Sequence, residues 1–245
     1  MTTSTRGSQQ VPEGQGGAGI LYRNIANVVS VLGIIPLPIL LMSNGYSYVI
    51  LLMIYNNIMD DLDGILATKL GIQSKFGAIL DNLCDSLAHS IFVMVIAVHH
   101  GVLCAVVGVV AVVAIELRVV SRLRPDATPA LGSPTNELIR HILFILLLAE
   151  LYSFDATIYL IAAFLLNAIS MLVPMPMPYL LRSMTKSVLA VTTVNLALLS
   201  AWLFPVSTPI IAACFFGTYG LSFVTAALRW LAPRKPPSTP NEAAA

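Results

Sequence analysis

Polar and apolar positions are sorted into long blocks rather than alternating along the chain. Between a polar beginning and a polar end lie eight apolar segments, roughly 24–43, 46–66, 76–98, 101–120, 137–152, 154–173, 187–205 and 208–230. Each approaches the ~20 residues that a bilayer-spanning helix needs. The fifth is short, and the second and third reach full length only with their aspartates included. The breaks fall at Ser43-Asn44-Gly45, at His100-Gly101, at Pro205 and in the Pro-rich stretch 174–178, all turn-forming sequences. Pro36 and Pro38 predict a kink inside the first segment.

The pattern predicts an all-α integral membrane protein, a polytopic bundle of about eight transmembrane helices. Residues 1–22 read as a disordered polar tail without the apolar core of a signal peptide. Residues 23–231 form the transmembrane domain, and 232–245 a disordered Pro-rich tail.

The basic residues sharpen this prediction. The chain holds 13 Lys and Arg. With the N-terminus in the cytoplasm and eight spans, Arg6 and Arg23 precede the first helix, and Lys69 and Lys75 lie between the second and third. Arg118, Arg122, Arg124 and Arg140 flank the connection from the fourth to the fifth. Arg182 and Lys186 lie between the sixth and seventh, and Arg229, Arg234 and Lys235 follow the eighth. All fall on one side, as the positive-inside rule requires, so both termini are expected in the cytoplasm. Seven or nine spans would scatter them over both faces.

Composition agrees. Hydrophobic residues make up 57% of the 245 residues and charged residues 10%, and mean hydropathy is +0.85. Soluble domains carry about 25% charge, so this chain cannot cover a water-facing surface. A net charge of +1 excludes an electrostatic nucleic-acid binder. Cys84, Cys104 and Cys214 lack metal-ligand spacing and read as packed free thiols.

The acids are concentrated. Asp60, Asp61, Asp63, Asp81 and Asp85 are five of the 12 acidic residues and fall within 26 positions. Asp60 and Asp63 share a helix face at i, i+3, as do Asp81 and Asp85 at i, i+4. A hairpin of helices 2 and 3 therefore brings four carboxylates together near the cytoplasmic surface. Acids at membrane depth are costly and face an interior cavity. An all-oxygen donor set suits a hard cation such as Mg²⁺ or Mn²⁺, and four carboxylates suffice for two ions. Asp61 faces away from that side and receives no ligand role. Gly64 and Ala67 continue the Asp60 stripe, and Gly77 begins the stripe that runs through Asp81 and Asp85 to His89. These small residues leave space for close helix packing or for a bulky ligand. His89 reads as a packing histidine, and Glu116 as the partner of a nearby arginine.

Asp60, Asp63, Gly64, Ala67, Gly77, Asp81 and Asp85 fit the spacing D-x2-D-G-x2-A-x-x8-G-x3-D-x3-D at every fixed place. The sequence thereby resembles the CDP-alcohol phosphotransferase family. The resemblance implies transfer of a phosphatidyl or related group from a CDP-alcohol to an acceptor hydroxyl, with release of CMP. It implies metal binding by Asp60, Asp63, Asp81 and Asp85, with Asp85 also the catalytic base. It places Asn24, Gly64, Ala67, Thr68, Ser74, Lys75 and Gly77 at the CDP-lipid. One position departs: the family's Arg after the Ala is Thr68, with Lys69 and Lys75 as neighbouring cations.

The run Ser74-Lys75-Phe76-Gly77 with Leu80-Asp81, the eight helices, and Ser170 to Pro178 are similar to phosphatidylserine synthases of this family, which implies CDP-diacylglycerol as donor and serine as acceptor. Val120 to Arg124 is instead similar to phosphatidylglycerophosphate synthases, which keeps glycerol 3-phosphate open, together with inositol, inositol phosphate and amino alcohols. Arg118, Arg122 and Arg124 are candidates for an anion on the acceptor or for lipid headgroups. A transporter is the non-enzymatic alternative for intramembrane acids. Family members imply a possible homodimer.

Overall fold

The computed structural model describes residues 17–123, 135–173, 177 and 188–232. Among the described residues the regular structure is entirely helical. It consists of α1 (Gly17–Ile34), α2 (Val49–Lys69), α3 (Lys75–His99), α4 (Val102–Leu123), α5 (Thr135–Tyr152), α6 (Thr157–Leu172), α7 (Val188–Leu203) and α8 (Thr208–Leu231). Each of the eight apolar segments overlaps one of these helices.

Four stretches are long and apolar enough to cross a membrane: Leu21–Leu41, Lys75–His99, Val102–Leu123 and Thr208–Leu231. Helices α6 and α7 are apolar but have 16 residues each, about 24 Å at 1.5 Å per residue. Length alone would admit α2, with 21 residues, and α5, with 18. Asp60, Asp61, Asp63 and Lys69 in the first, and Glu137, Arg140 and Glu150 in the second, lower their apolar character. Of these charges, Asp60, Asp61, Asp63, Glu137 and Arg140 line the site described below.

The first helix differs from expectation at both ends. It begins at Gly17, inside the stretch read as a polar tail, because Ile20, Leu21 and Tyr22 continue its apolar run backwards. Its far end breaks rather than kinks. The α-helix stops at Ile34, and Leu37–Leu41 follow as a 3₁₀ turn. The ring of Pro36 disfavours helical geometry at Ile35, and neither Pro36 nor Pro38 supplies a backbone N–H.

The buried core runs down the centre of the bundle. Phe92, Val93, Ile96 and Ala97 of α3 meet Ala111, Ala114 and Ile115 of α4, with Leu138, Ile142 and Phe144 of α5 and Leu160 and Phe164 of α6. The outer surface is apolar as well. On α4, Val102, Leu103, Val106, Val109, Val110, Val113 and Leu117 are all exposed. A helix apolar on both its inner and outer faces belongs in lipid. Cys84 and Cys104 are packed inside as expected, whereas Cys214 is exposed on α8. All three thiols are free.

Two of the described connections are tightly made. Gly71 ends α2 at φ 65°, a left-handed conformation that glycine adopts without strain. The amide of Ile72 returns to the carbonyl of Ala67 at 3.1 Å. Ser74 then caps α3 by accepting the Gly77 N–H at 2.9 Å. A five-residue connection therefore reverses the chain between the two acid pairs. On the opposite side of the bundle, Asp155 accepts from the Thr157 N–H at 3.0 Å and its hydroxyl at 2.7 Å. These bonds hold the Asp155 carboxyl below the usual carboxylate range.

Helices α3 and α4 pack closely at Gly108, where an added Cβ would lie 2.6 Å from the Ala97 Cβ. Both atoms belong to packed helices, so neither can swing aside. Gly108→Ala is expected to lower the thermal unfolding midpoint in detergent, with an overpacking cost of about 1–3 kcal/mol. Gly217→Ala on α8 meets nothing within 4 Å and is expected to hold or raise the midpoint, since alanine is the better helix former.

Candidate functional site

The hairpin of α2 and α3 delivers the carboxylates to one place. Asp60, Asp63 and Asp81 each offer a carboxylate oxygen, and these oxygens lie within 4.8 Å of one another. Asp85 follows Asp81 by one turn of α3 and lines one cavity with Asp60 and Asp81. Carboxylates gathered this closely repel one another, and a bound cation relieves that repulsion. Asp63 is buried, and the other three are half-buried.

Neighbouring helices supply the donors. Ser30 of α1 donates its hydroxyl to Asp63 Oδ2. Asn136, in the first turn of α5, donates to Asp60 Oδ2 at 2.8 Å. These bonds orient the carboxylates without consuming all of their oxygens. The donor set is all-oxygen, compact and fixed from outside by amide and hydroxyl groups, so it fits a hard divalent cation. His89 is buried and stands outside the three-carboxylate group.

Asp61 is not one of the three clustered carboxylates, and its own carboxylate is held by amides. Its Oδ2 accepts from Asn57 at 3.1 Å and from Asn195 at 2.6 Å. Asn57 also donates to Asn195 Oδ1 at 2.9 Å, and its own Oδ1 accepts from Arg140 at 3.4 Å. This chain of contacts ties α2 to α5 and α7. Glu116 accepts from Ser90 at 2.9 Å, a hydroxyl in place of the expected arginine.

Two cavities meet at the carboxylates. The first, of about 240 Å³, is walled by Asp60, Asp81 and Asp85 together with Asp61, Glu137, Arg118, Arg122 and Arg140. The second, of about 320 Å³, is walled by Asp63 and Asp81, by the small residues Gly64, Ala67 and Gly77, and by Asn27, Ser30, Thr68, Gln73 and Ser74. Asp81 lines both. The first cavity is strongly charged. The second has no basic residue among its described walls.

The sequence-predicted residues are placed unevenly. Gly64, Ala67, Thr68, Ser74 and Gly77 all line the second cavity. Gly64 has open space where a Cβ would stand, whereas a Cβ on Gly77 would meet Asn27 Oδ1 at 2.9 Å. Thr68 is exposed, and its hydroxyl accepts from Gln73 at 3.1 Å. Asn24 is exposed and lies one step back, accepting from Asn27 at 3.0 Å. Lys75 is exposed and lines neither cavity. Arg118 is buried in the first cavity's wall, where Arg122 also reaches Asn82 at 3.4 Å. Arg124 lies outside the described residues.

Several residues at the site lie outside the aspartate motif. Ser30, Gln73, Asn136, Glu137 and Arg140 line the cavities, and Asn195 stands behind Asp61; four of the six belong to later helices. Only the polar character of Asn136, Glu137 and Arg140 at the start of an otherwise apolar segment marked them.

An apolar helical bundle with four membrane-length stretches has the character of an integral membrane protein, and its carboxylate group between two cavities has the donor chemistry that a hard cation takes. The profile described as CDP-alcohol phosphatidyltransferase matches residues 23–174, more than half of the chain, and the chain belongs to that family. It is a family of transferases for phosphorus-containing groups, acting in phospholipid synthesis through CDP-alcohols and generally dependent on divalent metals. A comparison with curated proteins gave no match.

Metal binding is directly measurable. Asp63→Asn and Asp81→Asn are each expected to weaken Mn²⁺ binding by about tenfold or more, since even outer partners of a metal contribute that much. Asp61→Asn is expected to leave it nearly unchanged. Titration calorimetry on the purified protein reads both results.

Proposed function

We propose that this protein transfers the phosphatidyl group of CDP-diacylglycerol to the hydroxyl of a small polar alcohol, with serine as the acceptor, and releases CMP. The observation that carries this reading is the carboxylate group between two cavities, with Asp81 lining both. A transferase must bring donor and acceptor to one centre from different sides, and this arrangement does so.

In this reading the second cavity takes the CDP-lipid. Its glycines admit the bulky nucleotide, and Asn27, Gln73 and Ser74 offer polar contacts. The first cavity takes the acceptor, whose anionic end meets the arginines. Asp60, Asp63, Asp81 and Asp85 hold Mg²⁺ or Mn²⁺. A bound divalent metal neutralises the diphosphate and stabilises the leaving phosphate. Asp85 accepts the proton of the acceptor hydroxyl as its oxygen bonds to the phosphatidyl phosphorus. The bond from that phosphorus to the CMP oxygen breaks, and CMP departs with the electron pair. Asn136 and Ser30 keep Asp60 and Asp63 in position throughout.

The choice of serine is supported by the Ser74-Lys75-Phe76-Gly77 run with Leu80-Asp81, which is similar to phosphatidylserine synthases. Thr68 leaves the second cavity without the family's arginine, so the donor's charge falls to the metal and the neutral polar walls. Eight membrane spans with both termini in the cytoplasm complete the reading. They place all 13 basic residues and the carboxylates on the cytoplasmic side.

Purified protein with CDP-diacylglycerol and Mn²⁺ is expected to release CMP when serine is added. Absence of CMP with serine, glycerol 3-phosphate, inositol, inositol phosphate and ethanolamine alike would sink the enzymatic reading. Asp85→Asn is expected to keep donor binding and lose turnover by roughly 10²–10⁴-fold. Thr68→Arg is expected to lower the donor KM; an unchanged KM would detach position 68 from the donor. For topology, an impermeant thiol reagent applied from the cytoplasmic side is expected to label Lys69→Cys and spare Ser43→Cys, in a background lacking the native cysteines.

A further inference from the structure

The first cavity carries two acids beyond the aspartate motif, Asp61 and Glu137, and they are not equivalent. Asp61 is occupied by the amides of Asn57 and Asn195. Glu137 is 9% exposed, and only one of its oxygens is engaged. Arg140 reaches Oε1 at 3.4 Å, while Oε2 is buried without a hydrogen-bond partner. A buried acceptor left unpaired costs about 1–3 kcal/mol, and more when it is charged. Its neighbour Asn136 binds Asp60. Glu137 therefore sits one residue from the carboxylate centre, in the wall of the cavity that receives the acceptor.

The charges in this wall are of both signs. Once the four motif aspartates are set aside for the metal, Arg118, Arg122 and Arg140 remain against Asp61 and Glu137. A phosphorylated polyol would use only the arginines and would leave Oε2 of Glu137 as it is. An acceptor with a cationic N–H group removes the cost of that buried oxygen, and an anionic group on the same molecule engages an arginine. Arg122 is exposed in the wall it shares with Asp81, and its hydrogen bond there is the 3.4 Å approach to Asn82.

We infer that Glu137 holds the ammonium group of a zwitterionic hydroxy amino acid whose carboxylate is taken by the arginines of the same cavity. Glu137 is thus the residue that separates amino-acid acceptors from phosphorylated or uncharged alcohols. The inference rests on the phosphatidyltransferase reading of the site and adds to it a determinant of acceptor choice.

The test compares serine with 3-hydroxypropionate, which keeps the hydroxyl and carboxylate but lacks the amine. CMP release is measured with CDP-diacylglycerol and Mn²⁺ for the full-length protein and for Glu137→Gln. CDP-diacylglycerol binding by the variant confirms that it is folded. The unmodified protein is expected to prefer serine. In Glu137→Gln the serine KM is expected to rise by about tenfold or more, as loss of a charged hydrogen bond predicts, and the preference for serine should shrink accordingly. An equal loss with both acceptors would assign Glu137 to holding Arg140 alone and overturn the inference, while the transferase reading stands. Transfer to glycerol 3-phosphate with none to serine would also overturn it. Absence of CMP with every acceptor would remove both readings together. If Glu137→Gln does not bind donor, Glu137→Asp replaces it: a raised serine KM with an unchanged 3-hydroxypropionate KM supports the role, and equal shifts reject it.

Discussion

Four carboxylates on two adjacent helices, inside a chain that is otherwise apolar, repel one another and lose hydration at the same time. Much of the bundle answers that cost. Ser30 on α1 and Asn136 on α5 each give a hydrogen bond to the group. Asn195 on α7 binds the neighbouring Asp61, so three further helices are drawn to the α2–α3 hairpin by polar contacts. Outside this region the helices meet mainly through alanine, leucine, isoleucine and phenylalanine. Apolar packing specifies position weakly in lipid, because lipid tails compete as neighbours. The polar contacts are directional and fix which helix faces the carboxylates.

The same constraint separates two environments. On one side of Asp81 the wall is neutral, small and polar; on the other it is lined by three arginines and two further acids. A bulky donor with its own diphosphate and a small charged acceptor call for such a difference. Thr68 makes the neutral side more neutral than the family pattern. Its hydroxyl is held by Gln73, so an amide contact stands beside the position where the family has a cation.

Much of this was legible in the sequence because it depends on local spacing. The i, i+3 and i, i+4 aspartate pairs require only helical geometry to share a face. The lengths of the apolar runs gave the helices to within a few residues in most cases. Expectation failed where one local effect met another. Pro36 ended α1 instead of bending it, and Ile20 to Tyr22 extended the helix back into a polar lead-in.

The wall facing the aspartates was not legible. Asn136, Glu137, Arg140 and Asn195 are 50 or more residues from the motif, and no periodicity links them to it. By itself the sequence determined the membrane character, the helices, the clustering of four acids and the family signature, because each follows from composition or from spacing within one hairpin. Tertiary structure alone decided which distant side chains complete the site. Two examples are Glu137, left with one unpaired buried oxygen, and Asp61, enclosed by amides from α2 and α7. Those outcomes depend on how α5 and α7 pack against α2 and α3, and long-range packing is set by the whole bundle rather than by any one segment.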